Sequence, residues 1–181
     1  CAFAKERRIP MHILAGGSNA LFADEGFDGL IIHITDDAVH FDGERVVCGA
    51  GAALLSVLEK AAARGLGGLE KLAGIPGSVG GAVRGNAGAF GVEIKDAVEY
   101  VEALDAGGLL QRFDADACRF GYRGSVFKHD STLVVMRIAL RFTPDKTARI
   151  EHAMNDTIAE REKKHIQNIK SAGSFFINPV V

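Results

Sequence analysis

Seven of the eighteen residues from Gly74 to Gly91 are glycine, and no other feature limits so strongly what this chain can fold into. Glycine loses more backbone freedom on ordering than any other residue. A run this dense therefore predicts a loop system whose backbone approaches something closely, not a helix or strand. Pro76 fixes one φ and removes a donor, while Gly77, Gly80 and Gly81 permit close approach. A flexible linker is a poor account, because linkers are rich in Ser and charge. This stretch carries Ile75, Val79, Val83 and Phe90, which require burial.

Around it the chain reads as mixed. Met11–Ala15 and Leu30–Ile34 are short apolar strands, and Arg45–Cys48 is a third. Leu54, Leu55, Leu58 and Ala62 repeat with a helical period that Gly65 closes as a C-terminal cap. Val98–Leu104 and Leu109–Phe113 flank Asp105-Ala-Gly-Gly as a hairpin. Thr132–Phe142 predicts another strand, and residues 148–164 an amphipathic helix with Ile150, Met154 and Ile158 on one face. The pattern is α+β, with a change of domain near Thr143-Pro144-Asp145.

Composition removes several functions. The 181 residues carry a net charge of -2 with no basic run, which excludes a nucleic-acid backbone binder. Cys1, Cys48 and Cys118 are far apart, and the six histidines form no ligand spacing. Neither a disulfide framework nor a metal site is expected. The longest apolar runs, such as Thr132–Ile138, are far short of the roughly 20 residues of a membrane span. A cytoplasmic monomer is the simplest expectation. The start lacks Met and the end stops just after a rich motif, so the chain reads as an incomplete piece of a longer protein.

Three further motifs bear on chemistry. In Ala15-Gly16-Gly17-Ser18-Asn19, glycines free backbone N–H groups to converge as pyrophosphate donors, and Ser18 and Asn19 add side-chain donors. It is neither a P-loop nor a GxGxxG, and a plain strand-to-strand turn explains it as well. In Cys118-Arg-Phe-Gly-Tyr122-Arg123-Gly-Ser-Val-Phe-Lys, a fixed cation and a phenol sit beside glycine, able to meet an anion. Spacing alone favours an ordinary surface pair for Tyr122 and Arg123. In Ser171-Ala-Gly-Ser174-Phe-Phe-Ile-Asn-Pro, Ser174 has no base partner and no GxSxG elbow surrounds it. That argues for a hydrogen-bonding residue over a nucleophile.

In this order the motifs AGGSN (15–19), GLGGLEKLAGIPGSVGGAVRGNAGAFG (65–91), CRFGYRGSVFK (118–128) and SAGSFFINP (171–179) resemble the UDP-N-acetylenolpyruvoylglucosamine reductase family, and its second type more than its first. The resemblance implies a vanillyl-alcohol-oxidase or PCMH-type FAD-binding fold. It divides the chain into residues 1–38 and 39–145, two FAD-binding subdomains, and 146–181, the start of a substrate-binding domain. It implies that NADPH reduces bound FAD, which passes hydride to UDP-N-acetylglucosamine enolpyruvate in peptidoglycan precursor synthesis. On this pattern Arg123 stabilises the developing charge and Ser174 protonates C2. Tyr122, Lys164 and Asn178 contact substrate. FAD falls to Ala15, Gly16, Gly17, Ser18, Asn19, Gly49, Ile75, Pro76, Gly77, Ser78, Gly80, Gly81, Ala82, Asn86 and Gly88. Ile177 departs from the usual Lys and Ala15 from a common Gly, and the family's catalytic Glu is expected beyond Val181. An N-terminal strand–helix segment of the first subdomain is expected to be missing too. A flavin oxidase of the same superfamily usually tethers FAD through a His or Cys, which these glycine loops lack. A non-catalytic flavin-binding module is the remaining alternative.

Overall fold

The computed structural model describes residues 1–164, Lys164 by its backbone alone. A short helix, α1 (Ala2–Glu6), leads into β1 (Met11–Leu14), which pairs parallel with β2 (Leu30–His33). The loop carrying Gly16 to Asn19 connects them. Next come β3 (Val39–Asp42) and β4 (Arg45–Gly49), an antiparallel hairpin, then α2 (Leu54–Ala62) and the short β5 (Leu66–Gly67). A 3-10 turn at Glu70–Leu72 precedes α3 (Val79–Gly85). Two tiny strands, β6 (Gly88–Ala89) and β7 (Val92–Glu93), form a hairpin, and a 3-10 turn at Ile94–Asp96 follows. The longer hairpin of β8 (Val98–Leu104) and β9 (Leu110–Asp114) is closed by Asp105, whose Oδ1 accepts from the N–H groups of Gly107 and Leu109. Then follow α4 (Val126–His129), β10 (Val134–Arg141), β11 (Thr143–Pro144) and α5 (Thr147–Lys164).

One five-stranded antiparallel sheet, ordered β3-β4-β10-β8-β9, organises the centre. The expected α+β class is borne out. Strand β10 lies in the middle, and Ile138, Ala139 and Leu140 are fully buried there. Val46 and Cys48 of β4 and Val101 and Ala103 of β8 face the same core. Over it lie Leu54, Val57 and Ala61 of α2 with Val79 and Val83 of α3. Each buried Val, Leu or Ile side chain among them stabilises the fold by about 1.5–3 kcal/mol.

Helix α2 runs as its apolar period predicts, and Gly65 ends it with φ 70° and an N–H donated to the Ala62 carbonyl at 2.8 Å. Strand β11 pairs with β5, and the Asp145 N–H donates to the Gly65 carbonyl at 2.8 Å. The root of α5 is thereby fastened beside α2, and its Ile150 and Met154 are buried.

Two expectations are overturned. Residues 79–85 are helical despite three glycines, because tertiary packing outweighs propensity. Ser78 caps the helix by accepting from the Gly81 N–H at 3.2 Å. The N–H groups of Val79 and Gly80 donate to the carbonyls of Ala52 and Ala50 at 2.8 and 3.0 Å. A Cβ on Gly80 would lie 2.7 Å from the Ala50 Cβ, so glycine is what lets this helix reach the β4 end. Phe90 is the second. Val79 and Val83 are buried as expected, but the Phe90 ring is 38% exposed.

Candidate functional site

Some of the residues expected to act on ligand gather at two places. At the first, the loop after β1 meets the segment before α3. The Ser18 hydroxyl donates to the Pro76 carbonyl at 3.4 Å. Gly77 has φ 119°, and a Cβ there would stand 2.7 Å from Ser18 Oγ. That backbone conformation favours glycine, and an added Cβ would push the Ser18 hydroxyl aside. The N–H groups of Gly16, Gly17, Ser18, Asn19 and Gly77 donate to no other described residue. Around Gly16 there is open space within 4 Å. Ala15 is half-buried at the loop's root, Pro76 and Gly81 are exposed, and Ile75 packs on the core edge. Donors without partners among the described residues, on two touching loops, suit an anionic diphosphate.

The other expected cofactor contacts are turned inward. At Gly49 a Cβ would lie 2.3 Å from the Asp36 carbonyl oxygen, so its close approach is to the segment joining the two sheets. Gly80 approaches Ala50, and Ala82 and Ser78 are buried. The Asn86 side chain is fully buried at the αL cap of α3, with φ 44°. It donates to Glu93 Oε2 at 3.0 Å and to the Gly121 carbonyl at 2.9 Å, and accepts from the Lys95 N–H at 3.4 Å.

That asparagine builds the second place. Its bond to Gly121, and the Ser125 hydroxyl donating to the Arg84 carbonyl at 2.8 Å, tie the Tyr122-Arg123 turn to the end of α3. The turn is tight, with Gly121 and Gly124 exchanging backbone bonds of 3.0 and 3.2 Å. Arg123 sits at φ 54° and Lys128 Nζ donates to its carbonyl at 2.7 Å. The Arg123 guanidinium lies 5.3 Å from the Tyr122 ring centre. Both line a cavity of about 420 Å³ with Gly88, Phe90, Glu93 and Lys95. A Cβ on Gly88 would come 2.8 Å from the Glu93 side chain and 3.2 Å from Arg123 Nη1, so Gly88 leaves the arginine its place. Of the five described non-glycine residues at positive φ, Phe90 and Arg123 line this cavity and Asn86 ties its wall together. Such conformations persist only where surroundings over-determine them.

Charge at the cavity is arranged in pairs. Lys95 Nζ lies 2.6 Å from Glu93 Oε2. That lysine, and then the Asn86 amide, hold the Glu93 carboxyl below the usual carboxylate range. From α5, Arg161 comes to the same neighbourhood, its guanidinium 5.5 Å from the Phe90 ring centre. Sequence reasoning missed Phe90, Glu93 and Arg161 as site residues; the positive φ of Phe90 leaves no mark in its identity. Ser174 and Asn178 lie outside the described residues, as does the Lys164 side chain. Among the described residues no His, Cys, Asp and Glu group could hold a metal, and no helix is long and apolar enough to cross a membrane.

Comparison with known proteins bears on the fold. Residues 1–114 match the FAD binding domain family. The chain is 39% identical over 98% of its length to UDP-N-acetylenolpyruvoylglucosamine reductase of Solibacter usitatus, covering 56% of that protein. To the enzyme of that name from Staphylococcus aureus it is 34% identical, covering 98% of the chain and 58% of the relative. The chain thus spans a little over half the length of these relatives. Among solved structures it resembles that of UDP-N-acetylenolpyruvylglucosamine reductase (MurB) from Thermus caldophilus. There the TM-score is 0.83 and the identity 33%, over 98% of the chain and 64% of its counterpart. The 6-hydroxy-D-nicotine oxidase of Arthrobacter nicotinovorans shares the fold alone, with a TM-score of 0.56 and 19% identity over 78% of the chain and 33% of the oxidase. The chain belongs to the FAD binding domain family in its PCMH-type α+β architecture, and its resemblance to the UDP-N-acetylenolpyruvoylglucosamine reductases holds over nearly its whole length.

Proposed function

We propose that the full protein reduces UDP-N-acetylglucosamine enolpyruvate to UDP-N-acetylmuramate, with FAD bound and NADPH as hydride donor, as a cytoplasmic monomer in peptidoglycan precursor synthesis. In this reading residues 1–38 and 39–145 are two parts of the flavin unit, and 146–181 begin the substrate unit. One observation carries it. The segment that touches the Ser18 loop at Gly77 ends, beyond α3, by holding the strained Arg123 turn at the mouth of a cavity. A loop pair with uncovered backbone donors and a turn whose backbone anchors Arg123 thus belong to one continuous piece of structure.

The Ser18 and Gly77 loops would hold the FAD diphosphate through backbone donors. When bound, FAD supplies the hydride chemistry. Arg123 is the electrostatic residue: reduction builds negative charge on the carboxylate side of the enolpyruvyl group, and a fixed guanidinium stabilises that charge more than the ground state. Tyr122 contributes a polar wall. Ser174 is assigned the proton that goes to C2, a role that needs placement within hydrogen-bond reach but no activating base.

Stopped-flow of each half-reaction in the FAD-loaded full-length protein tests this. Arg123→Lys is expected to slow substrate reduction on the order of 100-fold, because a point charge cannot replace a planar fork. Flavin reduction by NADPH should be nearly unchanged. Ser174→Ala should spare the NADPH step and block the other, with Ser174→Cys recovering part of the loss. A full-length protein that takes up no FAD in calorimetry, or an Arg123→Lys variant with normal turnover, overturns the reading.

A further inference from the structure

The Tyr122-Arg123 turn puts its strain where the sequence least invites it. At the third place of a four-residue turn, a positive φ usually belongs to Gly or Asn. Here that place is Arg123, at φ 54°, where a Cβ crowds the carbonyl that follows it. Gly121 and Gly124 stand within two residues, yet neither takes a positive φ. A conformation of this kind needs support from outside the residue.

Two bonds already described fix the ends of the turn. Asn86 donates to the Gly121 carbonyl at 2.9 Å, and the Ser125 hydroxyl donates to the Arg84 carbonyl at 2.8 Å. Both act two residues away from Arg123. The bond made to Arg123 itself comes from Lys128 in α4, whose Nζ donates to the Arg123 carbonyl at 2.7 Å. An ammonium donor makes a shorter and stronger hydrogen bond than a neutral one. It falls on the carbonyl whose direction is set by ψ of the strained residue, so turning that peptide would break it. An exposed ammonium is ordinarily hydrated and free to rotate. Among the described residues no carboxylate pairs with Lys128, and its bond goes to this one backbone atom.

We propose that Lys128 is the positioning residue of Arg123: it holds the strained turn through the Arg123 carbonyl and so keeps the guanidinium directed into the cavity. Lys128 does not line that cavity. Its action runs through the backbone of its neighbour. Two elements then share the work, the end of α3 fixing where the turn lies and α4 fixing which conformation it takes. What the guanidinium acts on rests on the enolpyruvyl reading; the hold on the turn does not.

Hydrogen exchange and stopped-flow on the FAD-loaded full-length protein test the two parts. Lys128→Met keeps the stem and loses the donor. Exchange of the Gly121 and Gly124 amides, which bond across the turn, is expected to quicken about threefold or more, with the α2 amides unchanged. Reduction of the enolpyruvyl substrate at saturation should slow about tenfold, with KM moving less than about twofold. Flavin reduction by NADPH should stay as it was. Lys128→Arg supplies a donor again and should recover most of both losses. In an Arg123→Ala background, Lys128→Met should cost less than about twofold further, because no guanidinium is left to direct. Lys60→Met, at an exposed lysine of α2, should change nothing. A raised KM with an unchanged rate at saturation would make Lys128 a direct substrate contact and overturn the proposal. Unaltered exchange at the turn, or the full tenfold loss persisting without Arg123, would overturn it too. A wild type that does not turn over the enolpyruvyl substrate sinks the functional reading instead, and the exchange rates of Lys128→Met still decide whether the hold exists.

Discussion

Gly80 in α3 and Gly16 after β1 come from the two glycine-rich stretches, yet a methyl group added to them meets opposite surroundings. At Gly80 it would press on Ala50, 2.7 Å from its Cβ and 2.8 Å from its carbonyl oxygen. At Gly16 it would meet nothing within 4 Å. One glycine serves the inside of the protein, by letting a helix dock on a strand end. The other leaves backbone donors uncovered on the outside. Gly77 stands between, because the neighbour it spares is a side-chain hydroxyl of the other loop. Similar sequence richness in glycine therefore has three different physical causes within one flavin-type unit.

Substitutions can break this contrast. Gly80→Val is expected to have the largest effect, about 3 kcal/mol or more of lost stability, since backbone and a strand-end residue cannot yield to the added branch. A thermal melt within a degree or two of the wild type would show that α3 docks less tightly. Asn86→Ala should follow at about 2–3 kcal/mol, because the Gly121 carbonyl and the Glu93 carboxylate lose a buried partner. Denaturant midpoints would measure it, and no change would mean water replaces the amide. Gly77→Ala should cost about 1–2 kcal/mol through its backbone conformation and should weaken FAD uptake as well. Weakened uptake with an unchanged melt would move Gly77 toward the outer class.

Acid titration comes next in size. The Glu93 pKa is lowered chiefly by Lys95, so its contribution is complete above the ordinary glutamate value of 4.5 and is lost as pH falls through the lower folded value. Below about pH 4.5 the wild type should lose stability more steeply than Glu93→Gln, and parallel pH profiles would refute this. The smallest effect is expected for Gly16→Ala, within about 0.5 kcal/mol on stability. If it also leaves FAD affinity untouched, the outer loop does not approach the diphosphate.

How far the sequence alone reached follows the same division. Helix α2 and the strands β4, β8 and β10 were legible because Leu54, Leu58 and Ala62, or Val46 and Cys48, carry their burial in their spacing. Helix α3 was not, since its glycines argue against a helix locally and its support comes from Ala50 and Ala52, across a gap in sequence. The Ser18 and Gly77 loops could be found separately, but their contact could not. Tyr122 and Arg123, which spacing alone favoured as a plain surface pair, were singled out only through the motif resemblance, and their place beside one cavity comes from the fold. Arg161 read as one more charge on the polar face of α5, because its approach to Phe90 and Gly74 is a matter of tertiary placement.

The fastening of α5 by β11 and β5 has a mechanical consequence. At about 1.5 Å per residue, Arg161 lies roughly 21 Å along the axis from Thr147. A tilt of about 5° at the root would swing such an arm sideways by about 2 Å, enough to undo a hydrogen bond. The Gly74 bend, against the Arg161 stem, gives the helix a second bearing near its far end. An arm supported at both ends keeps its aim without being stiff throughout, and wear at either bearing would show first as lost alignment at the tip.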